Sequence, residues 1–186
     1  MNREKEIKVL ISLDEYNRID KMFDWSKVYS QINHYYGNRY DLSSEVNTYR
    51  VREKNGKIRI QIKIPERNEG ALHIKREYEK EIDFVPDRIT KEELTEITGL
   101  IFDEDKVYIG KLSTQRKEYN GFENIELCLD KNEYLDKVDY EIEIEFRGGY
   151  PEEIISLLKK NGIEIRDIVD GKNTRYVKEL LKKYNQ

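Results

Sequence analysis

The chain has 186 residues, of which 34 are Lys or Arg and 38 are Asp or Glu, so 39% carry charge against roughly 25% in an ordinary soluble domain. Ile, Leu, Val and Phe still supply 50 residues, about 27%, which excludes a disordered chain. The net charge of -4 and pI near 5.5 make nucleic acid or an acidic membrane an unexpected partner, and the apolar runs are far shorter than the ~20 residues that cross a bilayer.

Strand-like alternation is read at 4–11, 26–36, 48–53, 58–64, 73–82, 107–118, 122–130 and 139–146. After the first of these, Ser12-Leu13-Asp14-Glu15 is a capping box that opens a helix reaching about Phe23. Asn55-Gly56 and Asn120-Gly121 read as tight hairpin turns, because Asn-Gly tolerates the positive φ such turns need, and antiparallel pairing follows. A short helix is expected over 90–98, and one over 151–161 behind Pro151, with Ile154, Ile155, Leu157 and Leu158 apolar. A last helix is expected from about Asn173 to Tyr184. No repeat or linker interrupts the pattern, which predicts a single domain over 1–186. The fold class is mainly β (α+β), a barrel or strongly curved antiparallel sheet with peripheral helices.

Alternate residues of a strand share a face, and here one face is ionic in strand after strand. It carries Glu4, Glu6 and Lys8, then Arg50 and Arg52, then Arg59, Gln61 and Lys63, and later Lys75, Glu77, Glu79 and Glu81. Glu126, Cys128 and Asp130 continue it, followed by Glu141, Glu143 and Glu145. The opposite face is apolar, as in Ile7, Val9 and Ile11, or Ile58, Ile60, Ile62 and Ile64. Two arrangements satisfy this: a one-sided sheet whose ionic face is solvated, or a sheet closed with that face inward as a polar tunnel.

Glu4 with Glu6, and Glu141 with Glu143, lie close enough along their strands to converge on a divalent ion. Carboxylates without His or Cys select Mg²⁺ or Mn²⁺ over zinc. Arg on neighbouring strands presents the planar fork that grips phosphate oxygens in pairs. Metal with a cationic lining is a polyphosphate site. The single cysteine, Cys128, excludes an internal disulfide and reads as a small filler, while His34 and His73 read as surface or strand-edge residues and Trp25 with Phe23 as core. The cysteine usage and the absence of an apolar leader point to the cytoplasm.

In order along the chain, Glu4-x-Glu6-x-Lys8, Tyr49-Arg50-Val51-Arg52, Gln61-Ile62-Lys63, Arg116 after Thr114, Leu127-Cys128-Leu129-Asp130-Lys131-Asn132 and Asp139-Tyr140-Glu141-Ile142-Glu143-Ile144-Glu145 resemble the CYTH superfamily, the triphosphate tunnel metalloenzymes. Within it they look most like the bacterial adenylate cyclase and triphosphatase branch. The resemblance implies an eight-stranded antiparallel closed barrel whose charged tunnel binds a triphosphate with Mg²⁺ or Mn²⁺. It implies metal-binding, catalytic roles for Glu4, Glu6, Glu141 and Glu143, with Asp130 as a further metal carboxylate. Lys8, Arg50, Arg52, Lys63 and Arg116 then hold phosphates. So does Lys172, where Gly171-Lys172 replaces the family's Ser-Lys. The implied reaction is metal-dependent hydrolysis of tripolyphosphate or another small triphosphate, such as thiamine triphosphate or a nucleoside triphosphate. The alternatives are a class IV-type adenylate cyclase and a non-catalytic polyphosphate- or RNA-end-binding module. A monomer or homodimer suits either activity, and residues 83–106 show no matching motif.

Overall fold

A computed structural model describes residues 2–38, 42, 46–69, 71–165 and 170–184. In β1 (Asn2–Ile11) the alternation acts as expected, burying Ile7 and Val9 on one face and Glu6 and Lys8 on the other. The capping box of Ser12 and Glu15 forms and starts α1 (Leu13–Asp20), which ends three residues before Phe23. Then come β2 (Lys27–Gly37), β3 (Thr48–Lys54), β4 (Lys57–Glu69) and β5 (Leu72–Ile82). The sequence-featureless stretch 83–106 holds a two-residue strand, β6 (Arg88–Ile89), and the expected short helix α2 (Lys91–Thr98), capped by Thr90 and by Gly99 in the left-handed region. Beyond it lie β7 (Lys106–Phe122), β8 (Ile125–Tyr134), β9 (Lys137–Phe146), α3 (Glu152–Lys160) and α4 (Lys172–Tyr184).

Eight of these strands close on themselves in the order β1–β9–β8–β7–β2–β3–β4–β5 and back to β1, every pair antiparallel, while β6 pairs only with the start of β7. Closure leaves the barrel no free edge. It also decides between the two arrangements left open above, because the ionic face lines the interior.

Asn55 and Gly56 both take positive φ (53° and 74°) and join β3 to β4, as the Asn-Gly pair predicts. Asn120-Gly121 does not turn. It stays within β7, the register slips between Tyr119 and Phe122, and the hairpin closes at Glu123-Asn124, where Asn124 has φ 58°. Gly121 serves a close approach instead: a Cβ there would stand 2.1 Å from the Tyr119 hydroxyl. The next hairpin, at Leu135-Asp136, puts both residues at positive φ without a glycine, so β8 and β9 extend four and two residues beyond the predicted spans.

The apolar outer face is covered in sectors. Ile7, Val9, Leu127, Leu129, Ile142 and Ile144 pack under Ile19 of α1 and Ile154, Ile155 and Leu158 of α3, with Phe23 and Trp25 against the same cluster. Ile60, Ile62 and Tyr78 pack under Leu94 of α2. Helix α4 packs on the inward face instead, setting Tyr176 and Leu180 against Tyr35, Leu112 and Tyr134, and the Tyr176 hydroxyl donates to the Ile109 carbonyl at 3.0 Å. The strand beneath needs a glycine there. Gly110 has φ 132°, and a Cβ on it would sit 1.8 Å from the Tyr176 hydroxyl. Gly110→Ala is therefore expected to lower stability by about 1–3 kcal/mol, from backbone strain plus overpacking, and to loosen α4. Denaturant unfolding and hydrogen exchange of residues 172–184 check both parts. Among the described residues no helix is long and apolar enough to cross a membrane.

Candidate active site

The interior is a cavity of about 630 Å³, inside the range of small-molecule sites but ionic where those are mostly apolar. Of the candidates read from the sequence, Glu4, Glu6, Glu143, Lys8, Arg50, Arg52, Lys63, Arg116 and Lys172 line it. Asp130 and Glu141 do not: both are fully buried in the wall behind.

Strand pairing separates the five proposed metal carboxylates into two groups. Glu6 lies opposite Glu145, and Glu4, Glu6 and Glu145 bring one oxygen each to within 4.8 Å of the others. Asp130 lies opposite Glu141, and Asp130, Glu141 and Glu143 form a second trio of the same tightness. Lys8 stands between the trios, donating to Glu143 and 3.0 Å from Glu6 Oε2.

The trios differ in how far the protein neutralises them. Arg116 grips Asp130 in a bidentate pair at 2.8 and 2.6 Å and donates a further bond to Glu143. Lys172, the first residue of α4, reaches Asp130 at 2.8 Å and Glu143 at 3.0 Å and also bonds Glu141, which takes a further bond from Arg175 at 2.6 Å. Burial pushes the Asp130 and Glu143 carboxyls up, but Arg116 and Lys172 at Asp130, and Lys8 and Arg116 at Glu143, outweigh it and hold both below the ordinary range. In the first trio, Glu4 pairs with Lys63 at 2.6 Å and Glu6 with Lys75 at 2.8 Å and with Lys8 at 3.0 Å, lysines that outweigh burial and hold the Glu6 carboxyl well down. Among the described residues Glu145 has only Arg116 at 4.0 Å, and its carboxyl is pushed up to about 7 by burial and by the Glu4 charge.

The cations differ as well. Lys8, Lys63, Arg116 and Lys172 each sit within 3.0 Å of a carboxylate oxygen, whereas Arg50 is held through Nε by Gln61 at 2.8 Å and is 4.0 Å from Glu77. Arg52 forms no ion pair among the described residues. Its pKa is pushed down to about 10 by burial and by the neighbouring Arg50 and Arg116 charges. A guanidinium lacking a counter-charge in an enclosed site is a seat for an anion.

The CYTH domain family model matches residues 2–172. The chain belongs to the CYTH domain family. Over 150 residues it is 29% identical to YjbK of Bacillus subtilis strain 168, a candidate triphosphatase, the match covering 76% of each chain. Its fold is shared with HpAC1 of Hippeastrum, described as an adenylyl cyclase candidate with dominant triphosphatase activity (TM-score 0.71, 24% identity, 93% of this chain and 94% of that one). It is shared too with an adenylate cyclase candidate of Bacillus halodurans (TM-score 0.66, 24% identity, 95% and 99%).

Among the wall residues on the ionic face read from the sequence yet outside the candidate set are Glu145, Lys75 and Glu77. The signal for Glu145 was present, because Glu141-x-Glu143-x-Glu145 already placed it inward. What the CYTH motifs did not give was the register that sets it against Glu6. Cys128 is buried on the wall with Sγ 3.5 Å from Glu126 Oε1, and burial pushes its thiol well up, which leaves it unreactive. The histidines, expected as surface or strand-edge residues, are both more enclosed than a surface reading allows. His34 is buried between β3 and β7, bonded to Glu53 and beside the Tyr108 ring, and His73 lines the cavity.

Proposed function

We propose that residues 1–186 act as one domain that binds a triphosphate in the tunnel and hydrolyses it with the help of a divalent cation, inorganic tripolyphosphate being the substrate the lining fits best. One observation carries this reading: a single enclosed cavity is faced both by a guanidinium with no ion-pair partner among the described residues, Arg52, and by a carboxylate trio, Glu4, Glu6 and Glu145, whose last member has no cation closer than 4.0 Å. The first calls for an anion and the second for a cation. The candidate triphosphatase relative and the shared fold support the reading.

The residues fit a hard divalent ion, because the first trio is all oxygen, spaced for shared ligation and incompletely neutralised. Every member of the second trio is bonded directly by Arg116, Lys172 or Arg175, whereas Glu145 is not, so Glu4, Glu6 and Glu145 are the ligands proposed here, with Asp130, Glu141 and Glu143 as the acidic wall that fixes those groups. The ion supplies neutralisation of phosphate charge and activation of water. The chain's part is orientation. Arg52 and Arg50 would grip oxygens of the anion, and Lys63 and Lys8, beside them on the lining, would add further donors to phosphate.

The test is phosphate release from tripolyphosphate with Mg²⁺ and with Mn²⁺, beside ATP and thiamine triphosphate. Tripolyphosphate turnover that needs the metal is the expected result. Cyclic AMP from ATP in place of phosphate release identifies a cyclase, and tight binding without turnover identifies a binding module; either overturns the hydrolase reading.

A further inference from the structure

Strand β2 is the neutral wall of the tunnel. Its inward residues after Tyr29 are Gln31, Asn33 and Tyr35, set opposite Lys54, Arg52 and Arg50 of β3. All three are buried, at 2%, 0% and 0% exposure. All three carry polar atoms without a partner among the described residues: both amide atoms of Gln31, Nδ2 of Asn33 and the hydroxyl of Tyr35. Buried polar groups are nearly always satisfied, so a row of unsatisfied ones calls for an explanation in function or in solvent.

Asn33 offers the most specific one. Its Oδ1 accepts from Arg52 Nε at 2.9 Å, the one side-chain hydrogen bond that orients this guanidinium among the described residues. The orientation of the amide is forced, since Nδ2 is a donor and cannot face another donor. An aspartate has nearly the same shape and would hold Arg52 more tightly, but it would also supply the counter-charge that Arg52 lacks. A neutral amide does only half of that: it fixes the direction of the fork and leaves its charge free.

We propose that Asn33 is a positioning residue for anion recognition: its Oδ1 holds Arg52 side-on through Nε, and its neutrality keeps the guanidinium's Nη edge available to an oxyanion of the bound polyphosphate. This rests on the triphosphate reading of the tunnel. Asn33 acts through Arg52 and touches no reacting atom, so its contribution disappears when Arg52 is absent.

The experiment titrates inorganic tripolyphosphate with Mg²⁺ into wild type, Asn33→Ala, Asn33→Asp, Arg52→Ala and the Asn33→Ala/Arg52→Ala double variant by calorimetry, with thermal unfolding of each. Asn33→Ala is expected to weaken Kd about ten- to a hundredfold, the loss that goes with one hydrogen bond to a charged group. Asn33→Asp is expected to weaken it at least as much while unfolding no earlier than wild type, because its carboxylate fills the seat. The double variant is expected to bind as Arg52→Ala does. Wild-type affinity in either Asn33 variant, or an Asn33→Ala effect that persists without Arg52, overturns the inference alone and leaves the tunnel reading standing. A wild-type protein that does not bind tripolyphosphate overturns both. If Asn33→Ala does not fold, the near-isosteric Asn33→Asp decides the matter.

Discussion

Arg116→Ala is expected to cost about 3–5 kcal/mol of stability, one of the largest losses available to a single side chain in this protein. The guanidinium is 5% exposed and satisfies Asp130, itself fully buried, through two hydrogen bonds, with a third to Glu143. Truncation leaves two buried carboxylates sharing Lys172 and Lys8. In a chain of this length that loss lowers the unfolding temperature by roughly 6–20 °C. The pH dependence carries a sign. Asp130 and Glu143 titrate below their ordinary values in the folded wild type, so the stability they confer is present above the unfolded value, 3.8 for the aspartate, and is lost as pH falls through the folded one. In the variant the stranded carboxyls shift upward and are relieved by protonation. The gap between the two proteins therefore narrows on acidification, measured as unfolding free energy between pH 7 and pH 3. A gap that is constant across that range contradicts the ion-pair account.

Most of the fold was legible because two periodicities were clean. Where apolar and ionic residues alternate strictly, as in Glu4–Ile11, Arg59–Ile64 and Glu141–Phe146, both the strand and its facing followed from the sequence. What a strand pattern cannot report is how chain ends meet. Closure through the β2–β7 pairing decides whether the ionic face meets water or itself, and the resemblance to CYTH proteins implies that closure where the strand pattern does not. The misplaced turn shows the limit of turn chemistry taken alone. Asn120-Gly121 has the composition of a hairpin, but the glycine is there to pass under the Tyr119 ring, while the actual turns use Asn124, Leu135 and Asp136.

For the site, residue identity was legible and partnership was not. The cation and carboxylate candidates were read correctly as facing one way, but Asp130 and Glu141 face into a wall of Arg116, Lys172 and Arg175 and not into the cavity. Spacing along one strand gave Glu4 with Glu6. Only register across strands gives Glu145 as their third member and sets Asp130 beside the Glu141–Glu143 pair. Asn33 was invisible for a related reason: a neutral amide in a highly charged chain carries no motif, and its role depends on what stands opposite it.

That redistribution makes two substitutions that look alike in sequence behave differently. Glu4→Gln is expected to keep the barrel folded and to lower metal-dependent tripolyphosphate turnover by about a hundredfold or more, since loss of a residue that merely orients a metal ligand already costs about 10- to 100-fold. The fold survives because glutamine keeps an acceptor for Lys63, which also has Glu77 at 3.6 Å. Glu141→Gln is expected to fail first in stability, because it withdraws charge from Lys172 and Arg175 at a position with no exposure. Glu145 provides an independent reading of the first trio. Its raised folded value, about 7 against 4.5, means that the metal-free native state keeps a proton the unfolded chain releases, so this group makes stability fall as pH rises from about 4.5 to 7. Removing the Glu4 charge removes a principal cause of that rise, so the slope flattens in Glu4→Gln, which unfolding in a chelator across that pH window measures. Turnover at the wild-type rate in Glu4→Gln at matched metal excludes Glu4 as a ligand. An unchanged slope shows instead that Glu4 and Glu145 do not share the electrostatic contact on which the trio depends.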